Sequence, residues 1–212
     1  MSSASFEVKG SLHFRSIAPA HYACSNNLAD DQDMHILPHV GWANAMPGAS
    51  VSGRLYVAGH TFNFDNVLGY HDMNWADLPF TEVIQSWYWG HFSLGPYIVA
   101  LYDCVSASDG NEYANAYVAN NEQELVSACG IGTATVRDAN GTWPSRLGTP
   151  LATTLNISIP LSTGGSLNAI ATATEINEET GDAFMRGLFN ISGTVGSKSY
   201  SGIGMFEQFR VS

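Results

Sequence analysis

Positive charge is scarce in this sequence: 8 Lys and Arg stand against 19 Asp and Glu, a formal net charge of -11. A field of that sign repels phosphate backbones, which argues against nucleic acid as a partner. Long apolar runs are also missing. None approaches the roughly 18 residues that a bilayer span requires. Residues 1–5 are short and polar, not basic and then apolar like a secretory leader. The expectation is a soluble, cytoplasmic chain with no membrane partner. Cysteine is sparse, with Cys24, Cys104 and Cys129 at irregular spacing and no CxxC pair. The expected state is buried free thiols, with neither a disulfide framework nor a zinc site. A glycine-rich phosphate loop, a GxSxG serine elbow and a dinucleotide fingerprint are absent as well. An enzyme built from this chain is therefore expected to use no cofactor and no metal. The sequons at Asn140, Asn156 and Asn190 are as many as chance supplies and carry no weight.

Helical periodicity is nearly missing, and stretches such as Asn120 to Ser127 are too short to stand as independent helices. Alternation is present almost everywhere. Phe6, Val8, Gly10, Leu12 and Phe14 fall on one side of a strand whose other side carries Glu7, Lys9, Ser11, His13 and Arg15, the pattern of a half-buried strand. Further strands are expected at 50–58, 61–64, 84–91, 97–104, 112–119, 132–138, 152–160, 168–175, 183–195 and 202–211. Turn signals separate them, including Ala58-Gly59, Asp109-Gly110 and Thr180-Gly181-Asp182. With 45% hydrophobic and 11% aromatic residues, the chain has enough material for a core. The fold class is all-β, an antiparallel barrel or sandwich. Ala18 to Pro47 reads as a long irregular loop, a candidate cover over a pocket.

The densest cluster of unusual residues is Gly69-Tyr-His-Asp-Met-Asn-Trp75, followed by Gln85-Ser-Trp-Tyr-Trp-Gly-His91. On a strand, Trp87, Trp89 and His91 share one side, and Ser86, Tyr88 and Gly90 share the other. Paired indoles suit a polyene, an aromatic ring or a developing cation, because the indole face attracts positive charge by about 0.5–2 kcal/mol. The bland alternative is that the tryptophans are core filler. His71 beside Asp72 offers proton-transfer chemistry near neutral pH, yet neighbours on a strand point opposite ways, so each needs a partner elsewhere. The alternative there is a carboxylate and Asn74 capping a sheet end, with His71 an ordinary core histidine. His35 and His39 have the i, i+4 spacing of a helical metal pair, but Pro38 argues against a helix.

Ala18-Pro-Ala-His-Tyr, Val40-Gly-Trp-Ala-Asn-Ala, Gly69-Tyr-His-Asp-Met-Asn-Trp, Ser86-Trp-Tyr-Trp-Gly-His, Leu94-Gly-Pro-Tyr and Gly202-Ile-Gly-Met-Phe-Glu-Gln-Phe together resemble the fungal lipocalin-like Diels–Alderase family. The likeness to the carotenoid 1,2-hydratase, or hydroxyneurosporene synthase-like, group is more distant. The resemblance implies lipocalin-like β-barrels, two per chain, with a pocket in or between them. It also implies ring closure on polyketide, tetramic acid or terpenoid intermediates of fungal secondary metabolism, while related branches hydrate alkenes or rearrange epoxides. Family members are nearly twice this long. Residues 1–80 correspond to the end of the first domain and 81–212 to the second barrel, so the chain is expected to be truncated, or naturally short and completed by a second copy or a separate N-terminal domain. Ala76 stands where the family has glycine.

The expected substrate is an apolar small molecule and the expected activity a Diels–Alder or hetero-Diels–Alder cyclase. His71, Asp72, Asn74 and His91 are the expected catalytic groups; Trp75, Trp87, Tyr88 and Trp89 are the expected substrate-binding groups. An acid-catalysed hydratase, dehydratase or epoxide isomerase, and a lipocalin-like carrier without turnover, are the alternatives.

Overall fold

The computed structural model describes residues 2–3, 7–24, 34–121 and 123–211. Strand makes up 70% of the chain and helix 2%, as the alternation requires. Two antiparallel sheets carry it. The first comprises β1 (Ser2–Ser3), β2 (Val8–Ser16), β3 (His21–Tyr22), β4 (His35–Leu37), β5 (Val40–Val57) and β6 (His60–Ala76). A single helical turn, α1 (Phe80–Val83), leads to the second sheet of β7 (Ile84–Leu94), β8 (Tyr97–Ser106), β9 (Glu112–Asn120), β10 (Gln123–Cys129), β11 (Thr135–Asp138), β12 (Thr154–Pro160), β13 (Ser166–Thr180), β14 (Phe184–Val195) and β15 (Lys198–Arg210).

In the first sheet β5 is the spine. β6 runs along one of its edges, while β2, β3 and β4 occupy successive stretches of the other. The β5–β6 turn is Ala58-Gly59, both at positive φ, which is the backbone that a tight hairpin demands and glycine supplies at low cost. The second sheet is ordered β10-β9-β8-β7-β15-β14-β13-β12-β11 and curls as a half-barrel. Its concave side holds one core, with Tyr88, Phe92, Leu101, Leu155, Phe189 and Phe206 among its large members. Its convex side packs on the first sheet through a second core containing Trp42, Trp87, Trp89, Tyr102 and Tyr117.

Several expectations need correction. Cys24 and Cys129 form a disulfide, with Cα atoms 5.0 Å apart; only Cys104 is a free, buried thiol. Sequence spacing concealed the pair because it is made by docking one sheet on the other. Gln123–Cys129, within the stretch judged too short for an independent helix, is an edge strand that continues the β9 ladder. Within 18–47, β3, β4 and the first half of β5 are ordered strand; residues 25–33 of the expected cover lie outside the described residues. β2 is more exposed than its alternation predicts: Phe14 is 42% exposed, and only Val8 and Leu12 are partly covered.

Candidate active site

Alternation on β6 turns Tyr70, Asp72 and Asn74 toward the convex side of the second sheet, where β7, β8, β14 and β15 meet them. The half-open cavity between them measures about 410 Å3 and is walled by Trp87, Trp89, Tyr102, Phe184 and Met205, with Arg186 and Glu207 on the side facing Asp72.

Asp72 is the end point of a one-way chain of donors. Tyr70 Oη donates to Asp72 Oδ2 at 2.8 Å, and the Trp42 indole donates to the same oxygen at 2.8 Å. Asn44 Nδ2 donates to Tyr70 Oη at 2.8 Å, and His21 Nδ1 lies 2.7 Å from Asn44 Oδ1. Because the Asn44 amide donates to Tyr70, its oxygen must accept, so His21 Nδ1 carries the hydrogen. Burial holds the His21 pKa down at about 4, leaving a neutral ring. Burial also pushes the Tyr70 phenol well up, helped by the Asp72 charge, so Tyr70 remains a donor. Donors lined up this way polarise one another and fix the carboxylate. Tyr70→Phe removes one bond to Asp72 and strands the Asn44 amide; urea unfolding should show a loss of about 1–3 kcal/mol, the cost of an unsatisfied buried group.

Glu207 has a different environment. Arg186 Nε and a terminal guanidinium nitrogen both contact its Oε1, at 2.7 and 2.6 Å. The Trp87 indole N–H is directed toward the same carboxyl without closing a hydrogen bond. Burial nevertheless outweighs Arg186 and raises the Glu207 pKa, with the Asp72 charge adding to the rise. Two carboxyl groups facing one cavity thus have unlike surroundings, the arrangement that separates an acid from a charge stabiliser.

The walls are aromatic. Trp87 stacks on Phe209 at 4.3 Å and tilts against Tyr102 at 6.0 Å, while Trp89 lies 5.5 Å from Tyr70. Nε1 of Trp87, Nε1 of Trp89 and the hydroxyl of Tyr102 are buried and close no hydrogen bond among the described residues.

The predicted residues divide by strand parity. Asp72, Asn74, Trp87 and Trp89 meet in this cavity. His71 and Trp75 lie on the outward side of β6 and are exposed, Trp75 covering Gly41. Tyr88 points into the concave core, where Gln208 donates to its hydroxyl at 3.1 Å and Trp143 stacks on it. His91 lines an adjoining cavity. His35 and His39 belong to β4 and the turn that follows it, and His39 pairs with Asp77 at 2.8 Å. Sequence reasoning missed Glu207, Arg186, Tyr70, Tyr102 and Trp42. The available signal for Glu207 was its parity with Met205 and Phe209, which puts a carboxyl on the apolar side of β15.

Comparison with known proteins bears on this geometry. Residues 2–148 match the model of the Diels-Alderase-like family. Tyr70, Asp72, Trp87 and Trp89 fall inside that match, and Arg186 and Glu207 lie beyond it. The quinolone epoxide rearrangement protein asqO of Emericella nidulans is 31% identical over 210 residues, covering 96% of this chain and 55% of that protein. The quinolone epoxide rearrangement protein penF of Penicillium thymicola is 27% identical over 206 residues, covering 96% and 56%. The chain therefore spans about half the length of these relatives. Among solved structures, CghA superposes with a TM-score of 0.74 at 14% identity, over 99% of this chain and 63% of that one. Kievitone hydratase from Nectria haematococca gives 0.53 at 18%, over 82% and 53%. These likenesses concern the fold. With the family model spanning the first sheet and, of the strands that wall the cavity, β7 and β8, the chain belongs to the Diels-Alderase-like family.

Proposed function

We propose that this chain carries the reaction chamber of a cofactor-independent isomerase that opens a strained ring, an epoxide, on an apolar substrate by general-acid catalysis. One observation carries the reading: two carboxyl groups in unlike surroundings face a single aromatic chamber. Glu207, its pKa raised, gives its proton to the epoxide oxygen as the carbon–oxygen bond breaks and the bonding pair passes to oxygen. The carbon left electron-poor lies against Trp87 and Trp89, with the Asp72 carboxylate supplying opposite charge. A neighbouring carbon or hydride migrates to it, and the resulting protonated carbonyl returns its proton to Glu207. The product is an isomer and the enzyme is unchanged. The names of the two curated relatives support this reaction class, and those names belong to proteins about twice as long.

A Diels–Alder or hetero-Diels–Alder step is the second reading, supported by the family description and by walls suited to folding a polyene. Orientation alone can contribute roughly 7–11 kcal/mol to such a reaction. The two differ in proton demand. General-acid chemistry needs protonated Glu207, so turnover of an aryl epoxide should be level at low pH and fall as pH rises through the raised Glu207 pKa, with a normal solvent deuterium effect. A flat profile with equal rates in H2O and D2O would replace the acid mechanism by the pericyclic one.

A further inference from the structure

A second cavity, of about 450 Å3, adjoins the reaction chamber, and Tyr70, Trp89 and Met205 line both. Strand register shows how the two are joined. On the convex side, Arg186, Glu207 and Trp89 stand in one cross-strand row of β14, β15 and β7, and Leu188, Met205 and His91 stand in the next. Phe184 and Trp87 lie one row beyond the first, in the chamber, while Asn190 and Ile203 lie one row beyond the second, in the adjoining cavity. β6 follows the same line from the other sheet, with Asp72 lining the chamber, Tyr70 at the junction and Leu68 lining the second cavity. Residues on one side of a strand recur about every 6.8 Å, so the rows from Phe184 to Asn190 span roughly 20 Å.

The chemistry changes along that length. Asp72, Arg186 and Glu207 make one end polar. Past the junction, Leu188 and Ile203 form an apolar stretch although they are 40% and 59% exposed. Thr174 borders it with its hydroxyl donating to the Leu188 carbonyl at 3.0 Å, and exposed Asn190 marks the far end. At the junction itself, Tyr70 is held by its bonds to Asn44 and Asp72 and by the His91 ring stacked on it at 4.2 Å, and Trp89 is buried. Met205 is the remaining shared residue, and its unbranched thioether chain is the one that can turn aside.

We propose that the chamber and the second cavity are one groove for an elongated apolar ligand, whose ring lies in the chamber while its chain runs past Met205 along Leu188 and Ile203. Met205 sets the width of the passage and so which chains are accepted. The proposal rests on the reaction above only in placing the reacting end of the ligand at Glu207; the binding itself requires no turnover.

The probes are 4-methylphenol, which fits the chamber alone, and 4-hexylphenol, whose chain must pass the junction. In calorimetric titrations of the full chain, wild type should bind the hexyl compound about 100-fold more tightly, or about 2.5-fold per added methylene, less than full burial would yield because the groove is open on one side. Leu188→Gln/Ile203→Gln, at two exposed positions, should bring that ratio close to one with the affinity for 4-methylphenol unchanged. Met205→Phe, which sets a stiff ring at the junction, should cut the ratio about 10-fold. A wild-type ratio near one, no binding of 4-hexylphenol, or a ratio that survives the double replacement would each overturn the groove, and a ratio unmoved by Met205→Phe would overturn the part given to Met205. Should Glu207→Gln leave turnover intact while the hexyl preference holds, the reaction assignment falls and the groove stands. The converse pattern removes the groove alone.

Discussion

Replacing Glu207 by glutamine should slow epoxide isomerisation by about 10²- to 10⁴-fold, the range that a positioned general acid contributes. Glutamine keeps the shape and can still accept from Arg186, so near-UV circular dichroism and the thermal midpoint should change little. The replacement also abolishes the falling limb of the pH profile, because the group that titrates is gone. Steric damage at the same position would lower the rate without flattening the profile. A rate within a few-fold of wild type would mean that the chamber works by orientation and not by proton transfer.

Removing the disulfide should have the largest effect on stability. Cys24 and Cys129 are 105 residues apart, and in the chain-entropy model a cross-link closing about 100 residues constrains the unfolded state by about 4.7 kcal/mol. Against a total of about 5–15 kcal/mol for an ordinary domain, that is a large share. Urea unfolding of Cys24→Ser/Cys129→Ser should give a midpoint far below wild type, and reduced wild type should approach the same value. Agreement of all three within about 1 kcal/mol would show that the bond contributes nothing in solution. Cys24 follows β3, which bears His21, and the second sheet holds the same segment: Asn115 donates to the Ala23 carbonyl, and Tyr117 Oη donates to Pro19 at 2.7 Å. Loosening the link frees the far end of the donor chain that leads to Asp72.

Much of the architecture was legible from alternation, because a strand half-covered on each side writes its orientation into every second residue. The grouping of Trp87 with Trp89 and the opposite orientation of Tyr88 came from that rule, as did the separation of Asp72 from His71. The motifs that carried the family resemblance prove to share a physical role: His21, Trp42, Asn44, Tyr70 and Asp72, drawn from three of them, form one hydrogen-bonded chain. What could not be read was pairing across the fold. Glu207 meets Asp72 only because β15 inserts between β7 and β14, a register that local pattern does not encode. The disulfide escaped notice for the same reason.

Consecutive residues of β7 serve different masters. Tyr88, Phe92 and Leu94 fill the concave core, while Trp87, Trp89 and His91 wall the two cavities on the other side. Parity therefore assigns one set of β7 side chains to the concave core and gives the other a double duty, as cavity wall and as packing against the first sheet. Varying Trp87 or Trp89 alters the cavity wall and the packing of the half-barrel on the first sheet together, whereas Tyr88 belongs to the concave core alone, and Gly90 admits no side chain because a Cβ there would meet Phe206. Deleting a single residue from the middle of β7 would exchange the two sets and destroy core and cavity wall in one step.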